Sequence, residues 1–318
     1  MIIAFCLMAA YLTDRLVGDP RSLPHPVVII GWFITRLEQI IRRFVRQAGG
    51  LRAAGLLFPL LIVGGSYAAV AVLLYGAWLV HPLLAVGLQI WLISTTIATK
   101  GLADAGREIY GHLQDGNLVR ARHSLSMVVG RDTEHLNEAE ISRGAVETVA
   151  ENIVDAIVSP LFYAAIGGAP LAMAYRAANT LDSMVGYKNE KYQHLGWASA
   201  RFDDVLNYIP ARLTALILLA ASWLQGLDWR RCALTMKRDA HLHPSPNAGL
   251  PEAAVAGALG VQLGGLNYYQ GVASHRAKLG DPLRPLCAAD INATVRLMWL
   301  ASVICAVLLT GAAYLLHG

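Results

Sequence analysis

The sequence predicts an all-α, polytopic integral membrane protein with about four to five membrane segments. Three observations carry that expectation. Hydrophobic residues make up 55% of the 318 and charged residues only 15%, for a mean hydropathy of +0.45, whereas a soluble domain has about 25% charged residues. Apolar segments are spread from residue 2 to residue 316, which argues for a single membrane-embedded domain over 1–318. The polar stretches have helical periodicity over residues 134–157 and 251–263, with no long alternating strand pattern and no internal repeat.

The membrane segments follow in order. Residues 2–18 are short for a span and end in Asp14-Arg15; without a basic start they read as a retained first helix, not a signal peptide. Residues 54–80 carry no charge over 27 positions, and residues 83–99 follow the turn His81-Pro82. Residues 156–178 are broken at the centre by Gly167-Gly168-Ala169-Pro170. Each half is too short to cross about 30 Å of hydrocarbon, which favours a re-entrant helical hairpin over a span. Residues 205–227 contain Asn207, Pro210 and Arg212, and residues 294–316 form the last segment. Between them lie polar segments 100–155, 179–204 and 228–293.

Orientation comes from the basic connections. Residues 32–53 hold Arg36, Arg42, Arg43, Arg46 and Arg52 against Glu38, so this loop is expected in the cytoplasm. Segment 100–155 then faces the cytoplasm, and 179–204 joins it if the hairpin dips and returns. The side taken by 228–293 depends on whether 205–227 crosses.

The net charge of +4 comes without an aromatic-interleaved basic run, so no nucleic-acid partner is expected. Cys6, Cys232, Cys287 and Cys305 are widely spaced with no C-x-x-C, which reads as reduced thiols without a disulfide framework or zinc site. Neither phosphate-binding glycine loop, G-x-x-x-x-G-K-[ST] or G-x-G-x-x-G, is present, nor is G-x-S-x-G or H-E-x-x-H.

The chemistry concentrates in residues 143–188. Arg143, Glu147, Glu151 and Asp155 recur every four residues, making one helical stripe that drifts by about 40° per step. Three carboxylates on one face repel one another unless an arginine or a metal ion offsets them. The plainer reading is a solvated charge ladder with Arg143 paired to Glu147. Asn152 shares this region. Asn179, Thr180, Asp182, Ser183, Gly186, Tyr187 and Lys188 follow, with Arg176 before them; they suit an anion, or simply a polar loop.

Four further groups flank it. Asp14 to Pro20, followed by Pro24-His25-Pro26-Val27, could aim Asp19 and His25 at a substrate, or end a helix at an interfacial turn. Gly130-Arg131 could bind phosphate alongside Arg120 and Arg122, or belong to a helix start capped by Asp132 or Thr133 with Glu138 and Glu140 solvated. Asp203-Asp204 with Asn207 and Arg212 could cap a helix or bind a metal, in a segment where polar groups are costly. His243 to Gly249, with Ser245 and Asn247, leads into Pro251-Glu252, a helix first turn and natural anion site; Gly257, Gly260, Gly264 and Gly265 equally fit helix packing.

Taken in this order, the blocks DRLVGDP (14–20), PHPV (24–27), VGRDT (129–133), VETVAENIVDAIVSPLFY (146–163), GGAPLAMAYRAANTLDSMVGYKNEKY (167–192), RFDDVLNYIPARL (201–213), SPN (245–247) and EAAVAGALGVQLGG (252–265) resemble the adenosylcobinamide-phosphate synthase family of cobalamin biosynthesis. Together they are specific, although no single block is. The resemblance implies an acid-amine ligase of the bacterial inner membrane with its site facing the cytoplasm. It would join adenosylcobyric acid to (R)-1-amino-2-propanol O-phosphate, or ethanolamine phosphate, with ATP as co-substrate and Mg²⁺ as cofactor, through an acyl phosphate. Contact with membrane lipid, a complex with other late cobalamin-pathway membrane enzymes, and an oligomer are compatible with it.

Under that resemblance, Glu151, Asp155 and Asp182 would hold Mg²⁺. Arg131 and Lys188 would neutralise phosphate, and Glu147 or Asp204 would take the proton of the attacking amine. Asn152, Asn179 and Asn247 would orient carboxyl or phosphate groups, with Ser183, Arg212 and Ser245 completing the binding set. Two other readings compete: a transferase acting on lipid pyrophosphates, and a corrinoid-binding scaffold or transporter without ligase activity.

Overall fold

The computed structural model describes residues 1–18, 25–187 and 189–318. Asp19, Pro20, Pro24 and Lys188 therefore lie outside the described residues. The chain divides into two compact units, each built from discontinuous segments.

The first unit comprises Met1–Ala98, Ser159–Asn207 and Ala306–Gly318. Its helices are α1 (Ile2–Leu16), α2 (Pro26–Phe44), α3 (Ala48–Ala54), α4 (Gly64–Val80) and α5 (Pro82–Ser94). Residues 32–53, expected as an arginine loop, are largely helical. Pro26 occupies the first turn of α2 and His25 caps it, its Nδ1 accepting from the Val27 amide at 3.3 Å.

The second unit comprises Thr99–Val158 and Tyr208–Cys305. It begins with α6 (Thr99–Gln114), α7 (Leu118–Ser126) and α8 (Glu138–Ile153), the last continuing into a π-helical turn, Val154–Val158. The N-cap of α8 is Asn137, not Asp132 or Thr133. Asn137 accepts from Glu140 N (3.0 Å) while Glu140 accepts from Asn137 N (2.8 Å), a reciprocal capping box that fixes the start.

Back in the first unit, α9 (Ser159–Val185) leaves helical backbone values at Gly167 and Gly168. The helix α10 (Trp197–Leu206) packs on α9, as do α1, α2, α4 and α5. In the second unit, α11 (Tyr208–Leu224), α12 (Trp229–Asp239) and α13 (Gly249–Leu259) pack against one another, and α13 also contacts α8. The long α14 (Ala288–His317) begins in the second unit and ends in the first.

One departure from the helical expectation is a hairpin, β1 (Leu263–Tyr269) and β2 (Val272–Leu279), paired antiparallel. The helix expected over 251–263 stops at Gly260, which is left-handed at φ 67°. Gln270 (φ 53°) and Gly271 (φ 78°) form the two-residue turn, whose positive φ values match strand twist. Asp132 fastens that turn, accepting from Gln270 N (3.0 Å) and Gly271 N (2.7 Å).

Among the described residues, four helical stretches are long and apolar enough to cross a membrane: Ala48–Val80, Pro82–Gln114, Glu138–Val185 and Ala288–His317. A fifth candidate is the pair α10 and α11, bent by 45°. In Ala48–Val80 only 22% of the apolar window is buried in protein, leaving residues such as Leu60, Leu73 and Leu79 exposed. Such a surface is stable only against lipid or another apolar partner. The chain is an integral membrane protein of the polytopic helical class.

Candidate functional site

In the second unit, the stripe on α8 meets the hairpin. Glu147 is 2% exposed and fully engaged. Its Oε1 accepts from Gly264 N at 2.7 Å and from Arg143 Nη1 at 3.4 Å, and its Oε2 accepts from Arg131 Nη2. Arg131 also donates to Asn267 Oδ1 at 2.6 Å. Arg143 donates to the carbonyls of Gly264 and Leu266, the latter at 3.0 Å, and to Asn267 Oδ1 at 3.1 Å. Arg131 thus pins the hairpin to α8 instead of standing open to a phosphate, and the Arg143–Glu147 pair of the ladder reading is part of the same clamp.

One turn on, Glu151 is half-buried, and both Arg276 and Arg131 act on it electrostatically together with Glu147. Guanidinium groups therefore supply much of the charge that offsets the stripe. Asn152 turns back on its own helix, donating to Thr148 O at 2.9 Å. Asp155 is half-buried inside the π-helical turn.

The loop before α13 brings a second layer. Arg212 on α11 donates to Asn247 Oδ1 at 2.8 Å and lies 3.7 Å from the Tyr208 ring centroid. Ser245 Oγ accepts from the amides of Asn247 and Ala248, both at 3.3 Å, which shapes the loop. His243 Nε2 lies 3.4 Å from Glu252 Oε1, with the two side chains 5% and 2% exposed. Burial, reinforced by the charges of Glu151 and Glu147, lifts the Glu252 carboxyl well above the ordinary glutamate range against Arg276 and Arg131. Burial likewise pulls the His243 imidazole below its ordinary value.

The first unit holds a separate polar cluster on α9 and α10. Asp203 accepts from Asn207 Nδ2 at 2.9 Å, and Asn179, Asp182 and Asp204 also act on it electrostatically. Its Oδ1 is buried with no hydrogen-bond partner. Asn207 Oδ1 accepts from Ser159 Oγ (2.6 Å) and Tyr175 Oη (2.9 Å), and Tyr175 stacks on Tyr163 with centroids 5.2 Å apart. Asp204 pairs with Arg201 at 3.3 Å, and Ser183 donates to Thr180 O at 3.0 Å. A Cβ on Gly186 would lie 2.0 Å from Asp182 Oδ1, so only glycine leaves that carboxylate its place.

The sequence-derived residues thus divide. Arg131, Glu147, Glu151, Asn152, Asp155, Arg212, Ser245 and Asn247 belong to the second unit, and Asn179, Asp182, Ser183 and Asp204 to the first; Lys188 lies outside the described residues. Among the described residues, no group of three or more His, Cys, Asp or Glu side chains is arranged to hold a metal ion. Sequence reasoning did not single out Arg276, Asn267, or the pairing of His243 with Glu252. The turn Gln270-Gly271 between apolar-rich flanks was the available signal for the hairpin that carries the first two.

The fold and its buried charge define a polytopic helical membrane protein with two polar centres. The CobD/Cbib protein family model matches residues 7–298, and the chain belongs to that family. It is 52% identical over 293 residues to the cobalamin biosynthesis protein CobD of Geobacter metallireducens, covering 92% of this chain and 91% of that protein. It is 46% identical over 311 residues to the cobalamin biosynthesis protein CbiB of Salmonella paratyphi B (98% and 97% covered). To the cobalamin biosynthesis protein CobD of Klebsiella pneumoniae it is 45% identical over 317 residues (100% and 99%). No solved structure matches the chain.

Proposed function

We propose that this protein is an acid-amine ligase of cobalamin biosynthesis. In this reading it joins the free propionate carboxyl of adenosylcobyric acid to (R)-1-amino-2-propanol O-phosphate, or ethanolamine phosphate, with ATP consumed and adenosylcobinamide phosphate formed. Family membership and the names of the relatives support the pathway. The observation that carries the reaction class is the cluster on α8, where Glu147, Glu151 and Glu252 are buried or half-buried among Arg131, Arg143 and Arg276. Anionic substrates and a proton-accepting carboxylate both find partners there.

The clamp of Arg131 and Arg143 on Glu147 holds the hairpin so that Arg276 remains beside Glu151 and Glu252. Arg276 is fixed by donation to Tyr269 Oη at 3.0 Å and is a half-buried guanidinium suited to a phosphate or carboxylate. Arg212, Asn247 and Ser245 would orient the second substrate.

Magnesium would be held in the first unit by Asp182 and Asp203. The buried, unpartnered Oδ1 of Asp203 and the place that Gly186 leaves for Asp182 fit an oxygen-binding cation. Two carboxylates suffice, because Mg²⁺ keeps waters and takes substrate phosphate oxygens. When bound, the ion would neutralise phosphate charge. The arginines of residues 32–53 support a cytoplasmic face on a bacterial inner membrane.

The test is phosphate release by detergent-purified protein given Mg²⁺-ATP, adenosylcobyric acid and aminopropanol phosphate, with corrinoid mass followed in parallel. ADP, phosphate and adenosylcobinamide phosphate should appear together. Corrinoid binding without product would replace the ligase by a scaffold or transporter.

A further inference from the structure

The clamp on Glu147 leaves the reaction without the base that its position on the stripe suggested. Every oxygen of Glu147 already accepts from a guanidinium or an amide. A carboxylate held this way positions structure and is a poor acceptor for a substrate proton. Glu252 is different. It sits in the first turn of α13, and its Oε1 is buried without a hydrogen-bond partner. Nε2 of His243 lies 3.4 Å away, and it too is buried and has no hydrogen-bond partner. Two such atoms side by side, in a fold that satisfies most of its buried polar groups, are a feature that proton transfer explains.

Resting on the ligase reading, we propose that Glu252, backed by His243, accepts the proton of the attacking amine. The loop before α13 is built for it. Nδ1 of His243 lies 3.1 Å from Ser245 N and 3.2 Å from Ser245 O, so the ring can accept from the amide or donate to the carbonyl. The first arrangement leaves a proton on Nε2 facing Glu252, and the second leaves Nε2 bare. Both charge states of the glutamate therefore find a complementary imidazole tautomer without movement of the ring.

The charged groups facing this pair are Glu151 and Glu147 from α8, Arg276 from β2, and Arg131 from the segment before α8. Glu151 is the strongest of them on Glu252 and is itself half-buried. A glutamate whose carboxyl is raised by burial is a stronger base than an ordinary one.

The proton balance is complete. The amine arrives as an ammonium ion. It gives one proton to Glu252, and the freed lone pair forms the C–N bond to the acyl carbon. The C–O bond to phosphate breaks, and its electron pair leaves with the phosphate oxygen. The second nitrogen proton departs with the phosphate, leaving a neutral amide.

The experiment compares full-length wild type with Glu252→Gln across pH, using two nucleophiles. One is aminopropanol phosphate, which is protonated near neutrality. The other is hydroxylamine, which is mostly neutral there and yields a hydroxamate without needing a base. With the amine, Glu252→Gln should lose about 100-fold in kcat, hold its KM for the amine, and lose the acidic limb of the kcat profile. With hydroxylamine the variant should match wild type, which also shows that it folds and activates the carboxyl. Glu252→Asp should restore part of the rate with the limb moved. An unchanged amine rate and limb in Glu252→Gln overturn the assignment, and so does an equal loss with both nucleophiles. If wild type forms neither amide nor hydroxamate, it is the ligase reading that falls.

Discussion

Arg131 and Glu147 stand 16 residues apart in sequence and form an ion pair whose side chains are 5% and 2% exposed. The pair joins the segment before α8 to the middle of that helix and, through Asn267 and Gly264, to the hairpin. Removing Arg131 takes from the buried Glu147 one of its two guanidiniums, and removing the Glu147 charge takes from the buried Arg131 its paired carboxylate. Arg131→Met and Glu147→Gln should each lower stability by about 3 to 5 kcal/mol, measured by unfolding in detergent. The double variant Arg131→Met/Glu147→Gln should lose less than the sum of the two. Additive losses would mean that the residues act independently.

The hairpin depends on a close approach at Gly264. A Cβ there would lie 2.1 Å from the Ala277 carbonyl oxygen, and the residue's φ is +82°. Gly264→Ala should strain the backbone and push the amide off Glu147, with a loss of about 1 to 3 kcal/mol. Gly265→Ala provides the contrast. Its φ is +94° but nothing lies within 4 Å, so the conformational part remains and the collision is absent. Equal losses for the two would assign the whole effect to φ.

This hairpin also marks where the sequence stopped being legible. The helical membrane class followed from composition and uncharged runs such as 54–80, because lipid demands long apolar helices. The stripe Arg143, Glu147, Glu151 was readable because helical spacing is local. Its partners were not. Asn267 and Arg276 reach α8 only through a fold-level contact, and Glu252 looked like an ordinary first-turn acid. The start of α8 was missed for a smaller reason. Asp132 is a good cap by type, yet it is taken up by the turn amides of Gln270 and Gly271, which leaves Asn137 to cap the helix.

The pH dependence of stability should carry the mark of the buried pair. Burial holds the folded-state value of Glu252 above its unfolded value, so the folded protein keeps this proton longer. That contribution is fully present below the unfolded value of about 4.3 and is lost as pH rises through the raised folded value. His243 has the opposite sign. Its folded value lies below the unfolded one, so its contribution is present above the unfolded value and fades as pH falls through the folded one. Glu252→Gln should therefore gain on wild type in melting temperature as pH rises above the unfolded glutamate value. A constant gap across that range would show that Glu252 does not titrate there.

Magnesium binding can be separated from turnover altogether. Mn²⁺ reports on the same oxygen ligands and is observed directly by electron paramagnetic resonance. If Asp182 and Asp203 hold the ion, Asp203→Asn should weaken Mn²⁺ binding, because it removes the carboxylate whose Oδ1 has no other partner. Gly186→Ala should weaken it too, by about 10-fold or more, since its Cβ would displace the Asp182 carboxylate without touching the ligand's chemistry. Glu151→Gln is the discriminating control. Glu151 is already offset by Arg276 and Arg131, so its loss should leave Mn²⁺ affinity unchanged. A drop in Glu151→Gln with full affinity in Asp203→Asn would move the metal to the stripe on α8.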